Sequence, residues 1–531
     1  MRTALNVRTA IFRADASTAI GTGHLYRCRY LAFALKKRGF RTIFICRNHV
    51  NSLHETILGN EYEFYNLAPS VYPSEVLPES SYSDWLGCTQ SQDAQDFISV
   101  IDGLDALIPS LIVVDHYGLD SKWELEIRSV FSESSLFVLD DLANRAHFAD
   151  YLLDSGRVAS WSDKSYSLLL NKDCISLLGP RYSLLSFDYL ELRDTVLVRD
   201  SLRKILVFFG GVDLENWCLF ALQALLDAKL SHLNVDVVVG RSSPHLPCIE
   251  EIVLGHPNWQ LHVGLPSLAP LIATSDLAIG AGGVHSWERA CLGLPALTIP
   301  IAENQKTVLN QLDSAGAVRL LTIRQDDSGM NTLVKQLVEL SRNPLPLQLM
   351  SESAFSVVDC HGLHRILTAL CGPSSPFSLR LACFSDLGLY FWWANDPTVR
   401  QSSLSEDEID FPTHYQWFIK CLSSSDVLLR VMTDASGLPI GQIRFQRDSE
   451  NNGIAIVSLS LDQLARGKGL GFELLTQGMH EMNRVWGASI KTLAYVKATN
   501  HSSLKLFSRF GFSEISPRDS GVKCLSYGPS I

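Results

Sequence analysis

One stretch near the start of the chain narrows the folds open to it. Ala10 to Phe12 is a short apolar run that reads as a strand, and small and polar residues then lead to Gly21-Thr22-Gly23. From His24 onward, Leu25, Cys28, Leu31, Ala32 and Leu35 recur at spacings of three and four, which predicts a helix. Gly39 ends that helix after the basic turn Lys36-Lys37-Arg38, and a second apolar run, Thr42 to Cys46, follows at once. The result is a strand, glycine loop, helix, strand unit with His24 at the helix N-terminus. A helix N-terminus offers unpaired N–H groups and the positive end of a dipole, which suits an anion such as a phosphate. Gly21 and Gly23 allow a ligand close to the backbone, and a histidine there can serve as a general base near neutral pH. The plain alternative is a tight turn in which His24 only caps or packs.

The longer pattern adds more. Arg13-Ala-Asp15-Ala-Ser17, then Ile20-Gly-x-Gly-His24 and Arg27-Cys28, resembles the opening of the UDP-sugar hydrolases of pseudaminic acid biosynthesis, whose product is 2,4-diacetamido-2,4,6-trideoxy-L-altrose. The resemblance implies that His24 is catalytic and that Arg13, Asp15, Gly21 and Gly23 lie at the substrate.

With 531 residues the chain is too long for one core and is expected to form several domains. A net charge of −11 argues against nucleic acid as the main partner. The 12 cysteines are scattered, with no C-x-x-C pair and no zinc spacing, so buried thiols in a reducing compartment are expected. There is no apolar run of membrane-spanning length. The expectation is therefore a cytoplasmic protein with no metal and no membrane partner.

Strands and helices alternate through the first part. Residues 93–104 carry a helical stripe. Leu111 to Val114 and Leu136 to Leu139 are near-continuous apolar runs, as buried parallel strands should be. They end in Asp115-His116-Tyr117 and Asp140-Asp141. Residues beyond the carboxyl ends of parallel strands stand where doubly wound folds bind ligands, so Asp115 and His116 are candidate substrate-binding residues, while Asp140 is equally a turn residue. Asp84-Trp85-Leu86-Gly87, Asp140 to Arg145 and Leu178 to Tyr182 also look like the hydrolase family, without a role evident from spacing.

A second α/β unit starts near Lys204. Ile205 to Phe209 is a strand leading to Gly210-Gly211-Val-Asp213 and a helix from about Leu214. Val235 to Val239 and Asp276 to Ile279 are further strands. Gly280-Ala-Gly282-Gly283 then opens a helix containing Glu288. The glycines form a second phosphate cradle, and a carboxylate about one turn into the helix can accept both hydroxyls of a ribose, although an acid there also suits the dipole alone. Glu303-Asn304-Gln305 follows the strand Ala296 to Ile299, as caps or ligand contacts. These blocks are similar to the C-terminal half of the same hydrolase family. Two doubly wound halves look like the GT-B architecture of nucleotide-sugar enzymes. The resemblance spans about residues 9–370 and implies UDP held by Gly282, Gly283, Glu288, Glu303, Asn304 and Gln305. Asp359-Cys-His-Gly-Leu-His-Arg365 departs from that family's pattern.

Cys371 to Phe377 is a linker by composition. Beyond it, strands at 428–432, 440–445, 454–461 and 493–496 surround Arg466-Gly467-Lys468-Gly469-Leu470-Gly471 and an amphipathic helix. A basic glycine loop between strand and helix can hold a pyrophosphate. With Asn500, Ser503 and Phe510-Gly511-Phe512, this region, about 377–518, looks like a GNAT acetyltransferase. Asn395-Asp-Pro-x-Val-Arg400 and His414-x-x-Trp417 are similar to the acetyltransferases acting on UDP-4-amino-sugars in the same pathway. The resemblance implies acetyl-CoA at Arg466, Gly467, Lys468, Gly469, Gly471, Asn500 and Ser503. Where many such enzymes carry a tyrosine that protonates the leaving thiolate, this chain has Phe507.

The sequence thus predicts an α/β protein. A GT-B pair of Rossmann-like domains (1–190 and 191–370) is joined by a linker (371–377) to a mixed α/β GNAT domain (378–531). The function it implies is a bifunctional enzyme that releases UDP from UDP-2,4-diacetamido-2,4,6-trideoxy-β-L-altrose by inverting hydrolysis and N-acetylates the preceding UDP-amino-sugar. A glycosyltransferase with an appended acetyltransferase fits the same folds, as does a ligand sensor that has lost its chemistry.

Overall fold

The computed structural model describes residues 8–531 except 18–19, 70–81, 83, 105–106, 157–165, 242, 452, 520 and 529–531; the side chains of Asn304 and residues 516–519 also lie outside the description. The chain forms two compact units, Met1–Leu363 and His364–Ile531. The division falls inside the helix Gly362–Cys371, ahead of the segment read as a linker.

The first unit contains two parallel sheets. One is built from β1 (Thr9–Ala14), β2 (Arg41–Arg47), β3 (Glu63–Leu67), β4 (Leu111–Asp115), β5 (Ser135–Leu139), β6 (Tyr151–Asp154) and β7 (Ile175–Leu178), in the order β3-β2-β1-β4-β5-β6-β7. The other is built from β8 (Lys204–Phe208), β9 (Asn234–Val239), β10 (Trp259–Val263), β11 (Leu277–Gly280), β12 (Ala296–Thr298) and β13 (Val318–Leu320), in the order β10-β9-β8-β11-β12-β13. Every strand pair in both is parallel. Both faces are covered, which explains the continuous apolar runs: Ile205 and Val207 pack into one layer and Leu206 into the opposite one.

Local signals set the element ends. Gly39, at φ 82°, takes the left-handed position after the helix Gly23–Lys37, and Phe40 N–H reaches back to the Leu35 carbonyl. The helix expected from about Leu214 begins later, at Trp217. Asp213 and Asn216 adopt left-handed backbone, and the Asp213 carboxylate accepts from the backbone N–H groups of Trp217 and Cys218, moving the helix start along. Strands β3, β6, β7, β10 and β13 had no clear apolar run to announce them; β7, for instance, is half exposed at Ile175 and Ser176.

The second unit has one sheet of β14 (Ser378–Leu381), β15 (Val427–Thr433), β16 (Pro439–Arg447), β17 (Ile454–Leu461), β18 (Lys491–Lys497), β19 (Ser513–Asp519) and β20 (Val522–Tyr527), in the order β14-β15-β16-β17-β18-β20-β19. All its pairs are antiparallel except β17 with β18. Those two pair only over Ile454–Ile456 and then part, opening the sheet at its centre. Among the described residues no helix is long and apolar enough to cross a membrane.

Candidate functional site

Each parallel sheet reverses its strand order beside a central strand, between β1 and β4 in one and between β8 and β11 in the other. In such sheets a crevice opens at the carboxyl ends of those strands. His24 stands at the first crevice, in the first turn of the helix Gly23–Lys37 that follows β1. Asp115 is the last residue of β4. His24 Nδ1 lies 2.6 Å from Asp115 Oδ1. A carboxylate only accepts, so Nδ1 carries the proton and Nε2 keeps its lone pair; among the described residues Nε2 has no hydrogen-bond partner. Arg27, one turn along the helix, donates through Nε and Nη2 to the two Asp115 oxygens, each at 2.6 Å. Burial alone would raise the Asp115 pKa, but Arg27 and His24 outweigh it and hold the carboxyl well below its usual range. The sequence reading made Asp115 a substrate contact. In the structure Asp115 is fully buried and holds His24 and Arg27.

Two aromatic residues without an assigned role complete this corner. The Tyr117 ring meets His24 edge-on at 4.5 Å, and Trp85 lies 6.5 Å from His24 and stacks on Tyr117. The Tyr117 hydroxyl donates to Asp141 at 2.6 Å, and Asp141 also accepts from Arg27 at 2.7 Å. In the sequence, Tyr117 stands directly after Asp115-His116 and Trp85 within Asp84-Trp85-Leu86-Gly87.

Arg13, Asp15 and His116 are buried as well. Arg13 is fully buried, with Nε and Nη2 on Asp93 and Nη1 and Nη2 on Asp15. Asp15 also accepts from the Arg47 backbone N–H at 2.7 Å and from His49 at 3.0 Å. His116 Nε2 is 3.4 Å from Asp15, and its Nδ1 accepts from Gly118 N–H. Burial pushes the His116 pKa down to about 3, so the ring is neutral. Arg47 closes the group by donating to Asp93 and Asp96. These side chains neutralise one another beneath the loop. Gly21 does stand in the loop, at φ 85° and bridged to Ser17, and Gly23 begins the helix with no side-chain cap on its N–H groups.

At the second crevice, Gly283 takes φ 96° and the helix Val284–Cys291 starts directly after it. A Cβ on Gly282 would meet Gln305 and Leu309, so that glycine serves close packing. The Gln305 side-chain oxygen accepts from Gly282 N–H at 3.2 Å and Ile301 N–H at 3.1 Å; Gln305 braces the cradle from behind. Glu288 is buried, 2.6 Å from His285 Nδ1, and after burial its charge helps push the Tyr189 hydroxyl pKa up. Tyr30, on the His24 helix, is close enough that burial and then the Glu288 charge push its pKa up. Glu303 begins its helix but points to solvent and pairs with Lys306, away from the cradle. The Asn304 side chain lies outside the described residues.

In the second unit a cavity of about 1210 Å³ opens where β17 and β18 part. Arg466, Gly467, Gly469, Gly471, Asn500 and Ser503 all line it. Gly467 and Gly469 adopt φ of 73° and 76°, which only glycine takes without strain. Arg466 Nη1 donates to Asp396 and Nε to the Leu461 carbonyl, while Nη2 is buried without a partner and available to a phosphate oxygen. Lys468, on the same loop, is not part of the cavity wall. Asn500 caps the helix His501–Phe510, its side-chain oxygen accepting from Ser503 N–H, which leaves the amide nitrogen for a ligand. Phe507 is buried against Phe512 and supplies no proton. Among the described residues no group of three or more His, Cys, Asp or Glu is placed to hold a metal ion.

Residues 389–512 match the family model described as Acetyltransferase (GNAT) family; the second unit carries a GNAT acetyltransferase domain, with acetyl-CoA as its co-substrate. The chain is also 26% identical over 365 residues to the spore coat polysaccharide biosynthesis protein SpsG of Bacillus subtilis (strain 168), covering 67% of this chain and 96% of that one. Among solved structures, spermidine N-acetyltransferase from Vibrio cholerae in complex with CoA and spermine matches 28% of this chain and 94% of its own, with 18% identity and a TM-score of 0.26. Aminoglycoside acetyltransferase AAC(6')-Ib in complex with coenzyme A matches 29% and 95%, with 16% identity and a TM-score of 0.26.

Proposed function

We propose that this chain is a bifunctional enzyme of nucleotide-sugar modification. Its first unit hydrolyses UDP-2,4-diacetamido-2,4,6-trideoxy-β-L-altrose, and its second N-acetylates the 4-amino group of the UDP-sugar that precedes it. The observation that carries the first half is the His24–Asp115 pair, which leaves Nε2 unpartnered at a strand-order reversal. In this reading the UDP lies against Gly282, Gly283 and Glu288, with Glu288 accepting from the ribose. His24 Nε2 takes a proton from a water as its oxygen attacks the anomeric carbon from the face opposite UDP. The anomeric C–O bond to phosphate breaks, UDP leaves as the anion, and the sugar is released with inversion. Asp115 holds the imidazole in the tautomer this needs and stabilises the imidazolium once formed. The N–H groups after Gly283 face the departing diphosphate. The likeness to a polysaccharide biosynthesis protein supports a sugar substrate.

In the second unit, the pyrophosphate of acetyl-CoA fits Arg466 Nη2 and the Gly467–Gly471 turn, and its thioester arm fits the gap between β17 and β18. The 4-amino nitrogen attacks the thioester carbonyl and gives up a proton to water, the C–S bond breaks, and with Phe507 unable to donate, the thiolate takes a proton from water.

The test is UDP release from the UDP-sugar with no added acceptor, with proton NMR of the anomeric signal. Release of free, inverted sugar is expected. A sugar nucleotide that stays intact until a hydroxyl acceptor is supplied would overturn the hydrolase in favour of a glycosyltransferase.

A further inference from the structure

The helix His501–Phe510 carries a pair of cations that the site described above leaves unused. Lys505 and Arg509 are four residues apart, so they stand one above the other on one face of the helix, about 6 Å apart along its axis. Both are exposed, and both line the cavity that contains the Gly467–Gly471 turn. Their helix borders that turn directly: a Cβ added to Gly471 would come within 3.4 Å of the Leu506 side chain. Phe472, the next residue, lies against Arg509, whose guanidinium carbon stands 4.7 Å from the centre of the ring. Neither cation has an acidic partner among the described residues. Elsewhere in the same unit, Arg430, Lys497 and Lys523 each meet a carboxylate within 3.0 Å. Two like charges one helical turn apart repel, and a chain of net charge −11 does not lack acids to neutralise them. An unpaired basic pair is ordinarily a solvated face. This pair differs in lining a cavity of about 1210 Å³ and in having one guanidinium stationed over a ring instead of loose in water.

We propose that Lys505 and Arg509 seat the 3′-phosphate of acetyl-CoA and make the second unit select 3′-phosphorylated CoA over its 3′-dephospho form. This rests on the pyrophosphate lying at the Gly467–Gly471 turn, as the acetyltransferase half of the proposed function has it. Beyond the pyrophosphate, acetyl-CoA continues into an adenosine whose ribose carries a phosphate monoester. That group is close to a dianion at neutral pH and has oxygens for more than one cation. The two phosphate groups differ in what they need. Backbone N–H groups of a glycine turn suffice for a diphosphate held close against them, whereas a monoester one ribose further out, near open water, needs full charges to hold it. Lys505 and Arg509 supply these on the helix that borders the turn. The thioester lies at the other end of the co-substrate, in the gap between β17 and β18. The pair therefore acts on binding and selectivity, and takes no part in acetyl transfer itself.

Calorimetric titration of the full chain with acetyl-CoA and with acetyl-3′-dephospho-CoA reads the seat without any amine acceptor. The wild type is expected to bind acetyl-CoA about 10- to 100-fold more tightly than the dephospho ligand. Lys505→Met and Arg509→Met, both at exposed positions, are each expected to weaken acetyl-CoA by about tenfold. Both are expected to leave the dephospho ligand unchanged, which also shows that the cavity is still folded. Gly469→Ala acts on the turn and is expected to weaken both ligands by the same factor. Equal wild-type affinity for the two ligands, or Lys505→Met and Arg509→Met variants that lose both ligands alike, would overturn the seat and leave acetyl-CoA at the glycine turn. A wild type that binds neither ligand would overturn the turn and the seat together.

Discussion

His24 Nδ1 and Asp115 Oδ1 lie 2.6 Å apart although 91 residues separate them in the chain. That contact fixes which imidazole nitrogen faces the crevice. Asp115→Asn preserves the shape and removes the anion, so the ring can adopt the wrong tautomer. UDP release is expected to fall by about 10²- to 10⁴-fold, with KM little changed. Steady-state kinetics check this, and an undiminished rate would remove His24 from the role of base.

The buried ion group beneath the loop predicts the opposite kind of failure. Arg13→Met leaves Asp15 and Asp93 buried without their guanidinium. A loss of about 3–5 kcal/mol of stability is expected, with KM for the UDP-sugar unchanged in whatever protein remains folded. Denaturant melts alongside kinetics read both. A variant of normal stability with raised KM would return Arg13 to the substrate.

His147 gives the first unit a pH dependence that is separable from catalysis. Burial lowers its pKa, but the hydrogen bond to Glu124 and the charges of Glu124 and Asp140 prevail, raising it from 6.5 to about 9. A raised histidine contributes its full stability below pH 6.5 and loses it as pH climbs through about 9. The interval corresponds to about 3 kcal/mol. Thermal melts from pH 6 to 10 should therefore fall more steeply for the wild type than for His147→Gln; parallel curves would contradict the pairing.

Gly469 tests the acetyl-CoA loop alone. At φ 76° with open space around the added Cβ, Gly469→Ala meets backbone strain of about 1–2 kcal/mol without any clash. KM for acetyl-CoA is expected to rise several-fold while UDP release is unaffected. Equal KM values would show that the loop does not contact the co-substrate.

Much of this architecture was legible because it is local. Buried parallel strands announce themselves as apolar runs, as at Leu111 to Val114, and Gly39 or Gly283 marks an end that only a left-handed residue can make. The same logic located His24, Glu288 and the Gly467–Gly471 turn. What stayed hidden depends on partners far away in the chain. Nothing near Arg13 reveals that Asp93 will meet it. Tyr117 and Trp85 reach His24 only once β4 and the residues before Asp93 are in place. Gln305 looked like a ligand contact at a helix start, yet it turns back onto its own loop because Gly282 has no side chain to keep it out.

The charges around Asp15 also bear on how the first unit comes to exist. Arg13 and Asp15 lie on or just beyond β1, Arg47 at the end of β2, Asp93 on the helix Gln90–Asp102, and His116 just after β4. Arg13 and Asp15 pair with each other, but Arg47 on β2 finds its carboxylate only in Asp93, which bridges both arginines. A partial sheet of β1 and β2 would seal unmatched charge under its own surface, which is costly. Strands β1, β2 and β4 and the helix Gln90–Asp102 should accordingly gain protection from hydrogen exchange together, and a chain emerging from the ribosome should leave β1 and β2 open until β4 has been made.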